Sequence, residues 1–246
     1  MKQLLQFAAG LVLCASLVHP ARADVVISGT RVVYPGRARE VTVQLTNNGT
    51  SPSLVQAWLD SGNPKVSPDK SDAPFVLTPP IFRLDPHKGQ TLRLMYTGQP
   101  LPQDRESVFW LNVLEVPPAP TGHAARNYLQ LAIRSRIKVF FRPHGLPGRA
   151  NDAPSALHWR VVPATGGGFA LECDNPTPYH VSFSRLGVVV GGQAYAYDKG
   201  GMVDPMAKAK FPLAGLASAP AAGTEVDFIT INDYGADVPR KATLRR

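Results

Sequence analysis

The chain has 246 residues, with 26 Lys and Arg against 18 Asp and Glu and a formal net charge of +8. Its basic residues are scattered rather than gathered into a patch, which argues against a nucleic-acid partner. The 24 Pro and 21 Gly stay below the roughly 25–30% of low-complexity chains and fall between apolar runs, so they read as turns.

The first stretch has Lys2, an apolar run from Leu4 to Val18, and then Ala21-Arg22-Ala23. That is the pattern of a secretory signal peptide over residues 1–23. The run covers 15 positions, and a spanning helix needs about 20. A lipid-bearing Cys14 is disfavoured by Leu13, where such sites usually want a small residue. Cleavage after Ala23 would leave 223 residues, enough for two domains of roughly 100 residues each. It would also take away Lys2 and Arg22, lowering +8 to +6, and leave Cys173 alone. A chain with one cysteine must be stable through its core rather than through disulfides.

From Arg39 to Thr46 apolar Val41, Val43 and Leu45 alternate with Glu40, Thr42 and Gln44, as a half-buried strand requires. Further strand-like runs are Leu54 to Leu59, Ile81 to Leu84, Thr91 to Tyr96, Val108 to Leu114 and Leu129 to Phe141. Each is short and bounded by Pro, Gly, Asp or Asn, and no comparable stretch keeps a 3.6-residue period. The first half, residues 24–144, therefore reads as an antiparallel sandwich. After Arg142-Pro143 the sequence H-G-L-P-G-R-A-N-D-A-P has a linker's composition, which puts a boundary near residue 145. Residues 145–246 repeat the style with Leu157 to Val162, Phe169 to Cys173, Val181 to Val190 and Glu225 to Ile231. There is no fixed-period repeat.

Catalytic and metal patterns are missing. The histidines after residue 23 are His87, His123, His144, His158 and His180, and no two have the short spacing of a zinc site. Neither G-x-S-x-G nor G-x-x-x-x-G-K-[ST] occurs. Cys173 with His180 could be drawn as nucleophile and base, but Cys173 shares parity with Leu171 on an apolar strand face, where a buried thiol is expected. We therefore expect no enzyme activity, cofactor, metal or small-molecule substrate.

Residues 101–118 read L-P-Q-D-R-E-S-V-F-W-L-N-V-L-E-V-P-P, and this segment resembles the signature of the Gram-negative pilus-assembly chaperone family. Thr30-Arg31, R-I-K-V-F-F-R-P from Arg136 to Pro143, N-P-T-P-Y from Asn175 and I-N-D-Y-G from Ile231 support the likeness across both halves. The resemblance implies an all-β protein of two immunoglobulin-like domains set as a boomerang. Its interdomain cleft would receive the C-terminus of a pilus subunit that lacks its last strand. The chaperone would lend that strand and pass the subunit to an outer-membrane usher; strand donation between chaperone and pilin is a known mode of strand addition. By motif position the cationic pair that grips the subunit's carboxylate falls on Arg31 and Lys138. The donated strand falls on Leu129, Leu131 and Ile133, which share one face, opposite Gln130, Ala132 and Arg134. Lys138 has the opposite parity to Ile133, which suggests an intervening bulge or bend. Glu115, Arg142 and Asp233 match positions of a charged bridge between the domains. Whether the free protein covers its open edge by self-association stays open.

Three rival readings fit the sequence less well. A secreted β-sandwich ligand-binding module, for carbohydrate for instance, would need exposed aromatics, whereas Trp58, Trp110 and Trp159 lie in apolar runs and read as core. A pilus subunit would usually be one incomplete domain with a disulfide. A hydrolase would need the motifs that are absent.

Overall fold

The structure, a computed structural model that describes residues 24–119 and 130–245, has seventeen strands in those residues, many with branched or aromatic residues at every second position. The expected signal peptide and Leu129 lie outside the described residues. Nine strands form the first sandwich. They are β1 (Val25–Ile27), β2 (Arg31–Pro35), β3 (Val41–Asn47), β4 (Ser53–Asp60), β5 (Phe75–Thr78), β6 (Ile81–Leu84), β7 (Gly89–Tyr96), β8 (Ser107–Val116) and β9 (Ile133–Arg142). One sheet has the order β1-β3-β7-β5 and the other β2-β9-β8-β4-β6. Their inner faces bury Val43, Leu45, Leu92, Leu94, Leu111 and Val139. One end is filled by an aromatic cluster in which Tyr34 meets Phe75, Tyr96 and Phe141.

The first strand serves both sheets. β1 pairs antiparallel with β3, then the chain turns at Ser28-Gly29-Thr30 and β2 pairs parallel with β9. Gly29 makes the crossing at φ +119°, a backbone conformation that side-chain-bearing residues rarely adopt. Because β2 starts only at Arg31, opposite Lys138, it covers β9 from Lys138 to Arg142 and no further. β9 pairs with β8 from Ile133 to Phe141. Among the described residues, the β2-side edge of β9 from Ile133 to Ile137 is thus left without a strand partner.

The second sandwich has eight strands. They are β10 (His158–Pro163), β11 (Phe169–Asn175), β12 (Val181–Val190), β13 (Gln193–Tyr197), β14 (Gly201–Val203), β15 (Ala207–Leu213), β16 (Glu225–Ile231) and β17 (Asp237–Thr243). β10-β11-β15 form one sheet; β13-β12-β16-β17, with β14 also on β12, form the other. Trp159, Phe183, Phe211 and Phe228 interlock at its centre. Cys173 is fully buried among them and burial pushes its thiol far up. It is a packing residue, and His180 is engaged elsewhere.

Several strands lie outside the runs read from sequence: β1, β2, β5, β13, β14, β15 and β17. β17 is largely polar (Asp237, Arg240, Lys241, Thr243) without an apolar alternation, and its neighbour supplies the order, since it pairs with β16 along its length. The linker-like segment is also packed: Leu146 and Ala150 lie on the second core, and Ala153 and Leu157 enter it around a single 3-10 turn.

Candidate functional site: a cationic cleft beside an open strand edge

Arg31 and Lys138 are direct partners in the parallel β2–β9 register, so two cations from strands far apart in sequence stand side by side. The Arg31 guanidinium donates through Nη1 to the Ile231 carbonyl at 2.9 Å, while its buried Nε has no partner. Lys138 donates through Nζ to Ser182 Oγ at 3.0 Å. Both hydrogen bonds cross from the first sandwich to the second. Burial lowers the Arg31 pKa. Burial, followed by the charge of Arg31, brings Lys138 down to about 8. Among the described residues no carboxylate lies within ion-pair distance of either cation. Two partly desolvated like charges without a carboxylate in contact are an anion site in waiting, because an arriving carboxylate would relieve both the desolvation and the repulsion.

The outcome for the expected bridge is mixed. Arg142 forks onto Asp233, with Nη1 to Oδ2 at 2.8 Å and Nη2 to Oδ1 at 2.9 Å. Burial opposes its charge, but Asp233 and Glu106 outweigh that and hold its pKa up. Glu115 takes no part, which corrects the motif-based assignment. Its buried carboxylate accepts from Val25 N at 3.1 Å and Ser53 Oγ at 2.9 Å, tying β1 and β4 to β8. The residue that does meet Arg142 is Glu106, through Nε at 2.6 Å. Its other oxygen accepts from His180 N at 2.8 Å and lies 3.2 Å from His180 Nδ1. The reason is geometric. Glu106 immediately precedes β8 at the cleft end, and Glu115 lies nine residues on, about 30 Å along an extended strand. A readable signal existed: antiparallel pairing of Ser107 with Phe141, extended one step, sets Glu106 opposite Arg142.

The proposed donor residues stand at the free end of β9. Leu131 is 62% exposed and Ile133 is 39% exposed; Leu129 lies outside the described residues. The strand begins at Ile133 rather than Leu129. Ile133 shares its face with Ile137 and with buried Val139 and Phe141, so the exposed side chains continue the core face past the end of the core. The expected bulge before Lys138 is absent, since the β8–β9 register is unbroken from Ile133 to Phe141. A strand laid beside β9 lies in the plane of the sheet. Its terminus can therefore reach Lys138 along the edge whichever face the lysine occupies.

Trp159 is core, as read, but the other two tryptophans are not in the apolar clusters. The registers Trp58↔Asn112 and Asp60↔Trp110 put both on the outer face, because Phe109, Leu111 and Val113 on the alternate parity are the buried ones. Trp58 is buried there with the Arg134 guanidinium 5.9 Å from its ring centroid. Trp110 is half-buried, beneath Arg136 and Lys138. Ser182, Glu106 and His180 are the cleft residues that the sequence reading missed.

This pair of sandwiches, with a cationic pair where they meet, is a two-domain immunoglobulin-like architecture. Residues 24–147 match the family described as pili and flagellar-assembly chaperone, PapD N-terminal domain, and residues 152–242 match pili assembly chaperone PapD, C-terminal domain. The chain belongs to the PapD-like family of pilus-assembly chaperones. It is 43% identical to the chaperone protein FimB/FhaD of Bordetella pertussis, over 96% of this chain and 95% of that protein. It is 44% identical to the probable fimbrial chaperone YadV of Escherichia coli K12, over 95% of each. The crystal structure of the YadV chaperone superposes with a TM-score of 0.77 over 90% of this chain and 100% of that one. The SafB chaperone of Salmonella enterica, solved in complex with SafA pilin, gives a TM-score of 0.73 at 28% identity, covering 92% and 99%.

Proposed function

We propose that this protein is a periplasmic chaperone that captures pilus subunits by lending them β9, anchors their C-terminal carboxylate between Arg31 and Lys138, and hands them to an outer-membrane usher. One observation carries the reading: among the described residues, the edge of β9 from Ile133 to Ile137 has no strand partner and runs directly into two adjacent cations with no carboxylate in ion-pair contact. A subunit strand lying in line with β2 would run parallel to β9 and present its terminal carboxylate where Arg31 begins. Sliding by one residue would turn every side chain to the wrong face, so a fixed terminus sets the register. Leu131 and Ile133 would fill the subunit's apolar groove, and the sticky edges of both partners would be covered together. The pairing of SafB with a pilin in the related complex supports a pilin partner. Export through residues 1–23 is consistent with that partner, and the packing of Leu146 on the second core supports a domain boundary near 145. Arg142 with Asp233 and Glu106 would hold the cleft angle.

The test is co-expression with a cognate subunit, followed by isolation of the complex. Arg31→Ala and Lys138→Ala are expected to stay folded and to lose the stable complex, since each removes charge-assisted hydrogen bonds of about 1.5–3 kcal/mol. Wild-type yields from both variants would refute the anchor.

A further inference from the structure

Lys138 does not stand alone on the outer face of β9. Trp110 is its direct partner in the β8–β9 register, with the Lys138 ammonium 5.6 Å from the indole centroid and the Arg136 guanidinium 4.0 Å from the same centroid. Both distances are within the roughly 6 Å over which a ring face attracts a cation. Arg136 is held in turn by Asp60, whose side chain is 1% exposed. Arg136 donates to it through Nε at 3.1 Å and through Nη2 at 2.5 Å. Asn112 Nδ2 and Gly62 N donate to the same carboxylate at 2.7 and 2.8 Å. Burial works against the Asp60 charge, and these donors outweigh it and hold its pKa below the usual value.

We propose that Trp110, Asp60 and Arg136 form a positioning unit for Lys138, in which the indole fixes the place of the ammonium and the Asp60–Arg136 pair sets the charge around it. Two cations over one ring repel each other. Arg136 can stack there without discharging Lys138 because Asp60 neutralises it. Charged groups around Lys138 are Arg31 from β2 and Asp204 just past β14, with Arg136 of its own strand over the same indole and Asp60 of β4 paired to Arg136; Ser182 of β12 supplies the neutral acceptor. The functional weight of the unit rests on Lys138 being the anchor, whereas its electrostatics do not.

The sign of the effect separates this from a merely structural role. Asp60→Asn leaves the Arg136 charge uncompensated and is expected to lower the Lys138 titration midpoint by about half a pH unit or more. Arg136→Gln leaves the Asp60 charge uncompensated and is expected to raise it by a similar amount, and the double variant should return to the wild-type midpoint. The measurement is lysine side-chain carbon NMR against pH on the free, full chain, with Lys138→Ala assigning the signal. Midpoints that stay in place, or that move the same way in both single variants, overturn the proposal. Should Asp60→Asn not fold, Arg136→Gln decides alone, a rise supporting the unit and any other result refuting it. A Lys138→Ala chain that still captures subunits would sink the anchor and leave these titrations unaffected.

Discussion

Lys138 gives up its proton near pH 8 in the folded chain, whereas an unfolded lysine keeps it to about 10.4. Between those values the unfolded state binds more protons, so the contribution of this residue to stability rises with pH through the window and is a constant cost below it. Capture of a carboxylate needs the ammonium and runs the other way. We expect complex yield to fall as pH rises through about 8 while the Lys138 term leaves the free chain no less stable. The chaperone's melting temperature and the retained subunit, followed from about pH 7 to 9.5, check both signs; capture that ignores pH over that range would refute the charged anchor. At the same scale, Glu115→Ala should destabilise the first sandwich by about 1–3 kcal/mol, because Val25 N and Ser53 Oγ lose a buried acceptor. Thermal melts should register that loss with subunit capture preserved. A lost complex in a chain that still folds would return Glu115 to the cleft.

At the scale of the strand, β9 has two unlike halves. From Lys138 onward it lies between β2 and β8; before that, among the described residues, it has β8 alone. Leu131→Glu should abolish capture with little change in the melting temperature of the free protein, since Leu131 is exposed before binding and an unpaired carboxylate would be forced into an apolar groove. Arg134→Glu, on the outer face, should be much milder. A large fall in melting temperature for Leu131→Glu without subunit would mean that the residue belongs to the chaperone's own core. The alternation of β9 was legible in the sequence, but the alternation did not carry the role proposed for it. The same pattern describes a core strand; among the described residues it is the switch from β1 in one sheet to β2 in the other at Gly29 that leaves the edge bare.

Across the whole molecule, the proposed anchor residues and the Arg142–Asp233 pair all tie one sandwich to the other: Arg31 to Ile231, Lys138 to Ser182, and Arg142 to Asp233. The cleft angle and the position of the two cations are therefore coupled. Asp233→Ala removes the bidentate partner of Arg142 and should loosen that angle while each sandwich keeps its own core. Small-angle scattering of the free variant is expected to show a broader distribution of dimensions, with weaker subunit capture. An unchanged profile with unchanged capture would sink the bridge.

The period of two in Val41–Leu45 or Phe109–Val113, the turn residues between runs and the lack of helical periodicity were enough to establish an all-β chain of two halves, because alternation follows from pleating alone. Motif likeness, rather than pattern, singled out Arg31, Lys138, Arg142 and Asp233, and with them Glu115, which binds elsewhere. Strands such as β17, whose residues are largely polar, left no period to read, since their order comes from the neighbour they pair with. Side-chain partners were hidden for the same reason. Which carboxylate meets Arg142, which face Trp110 occupies and which length of β9 stays open all depend on registers between strands distant in the chain. Those registers are settled only when both sheets close over a shared core, where hydrogen bonding and burial must be satisfied together.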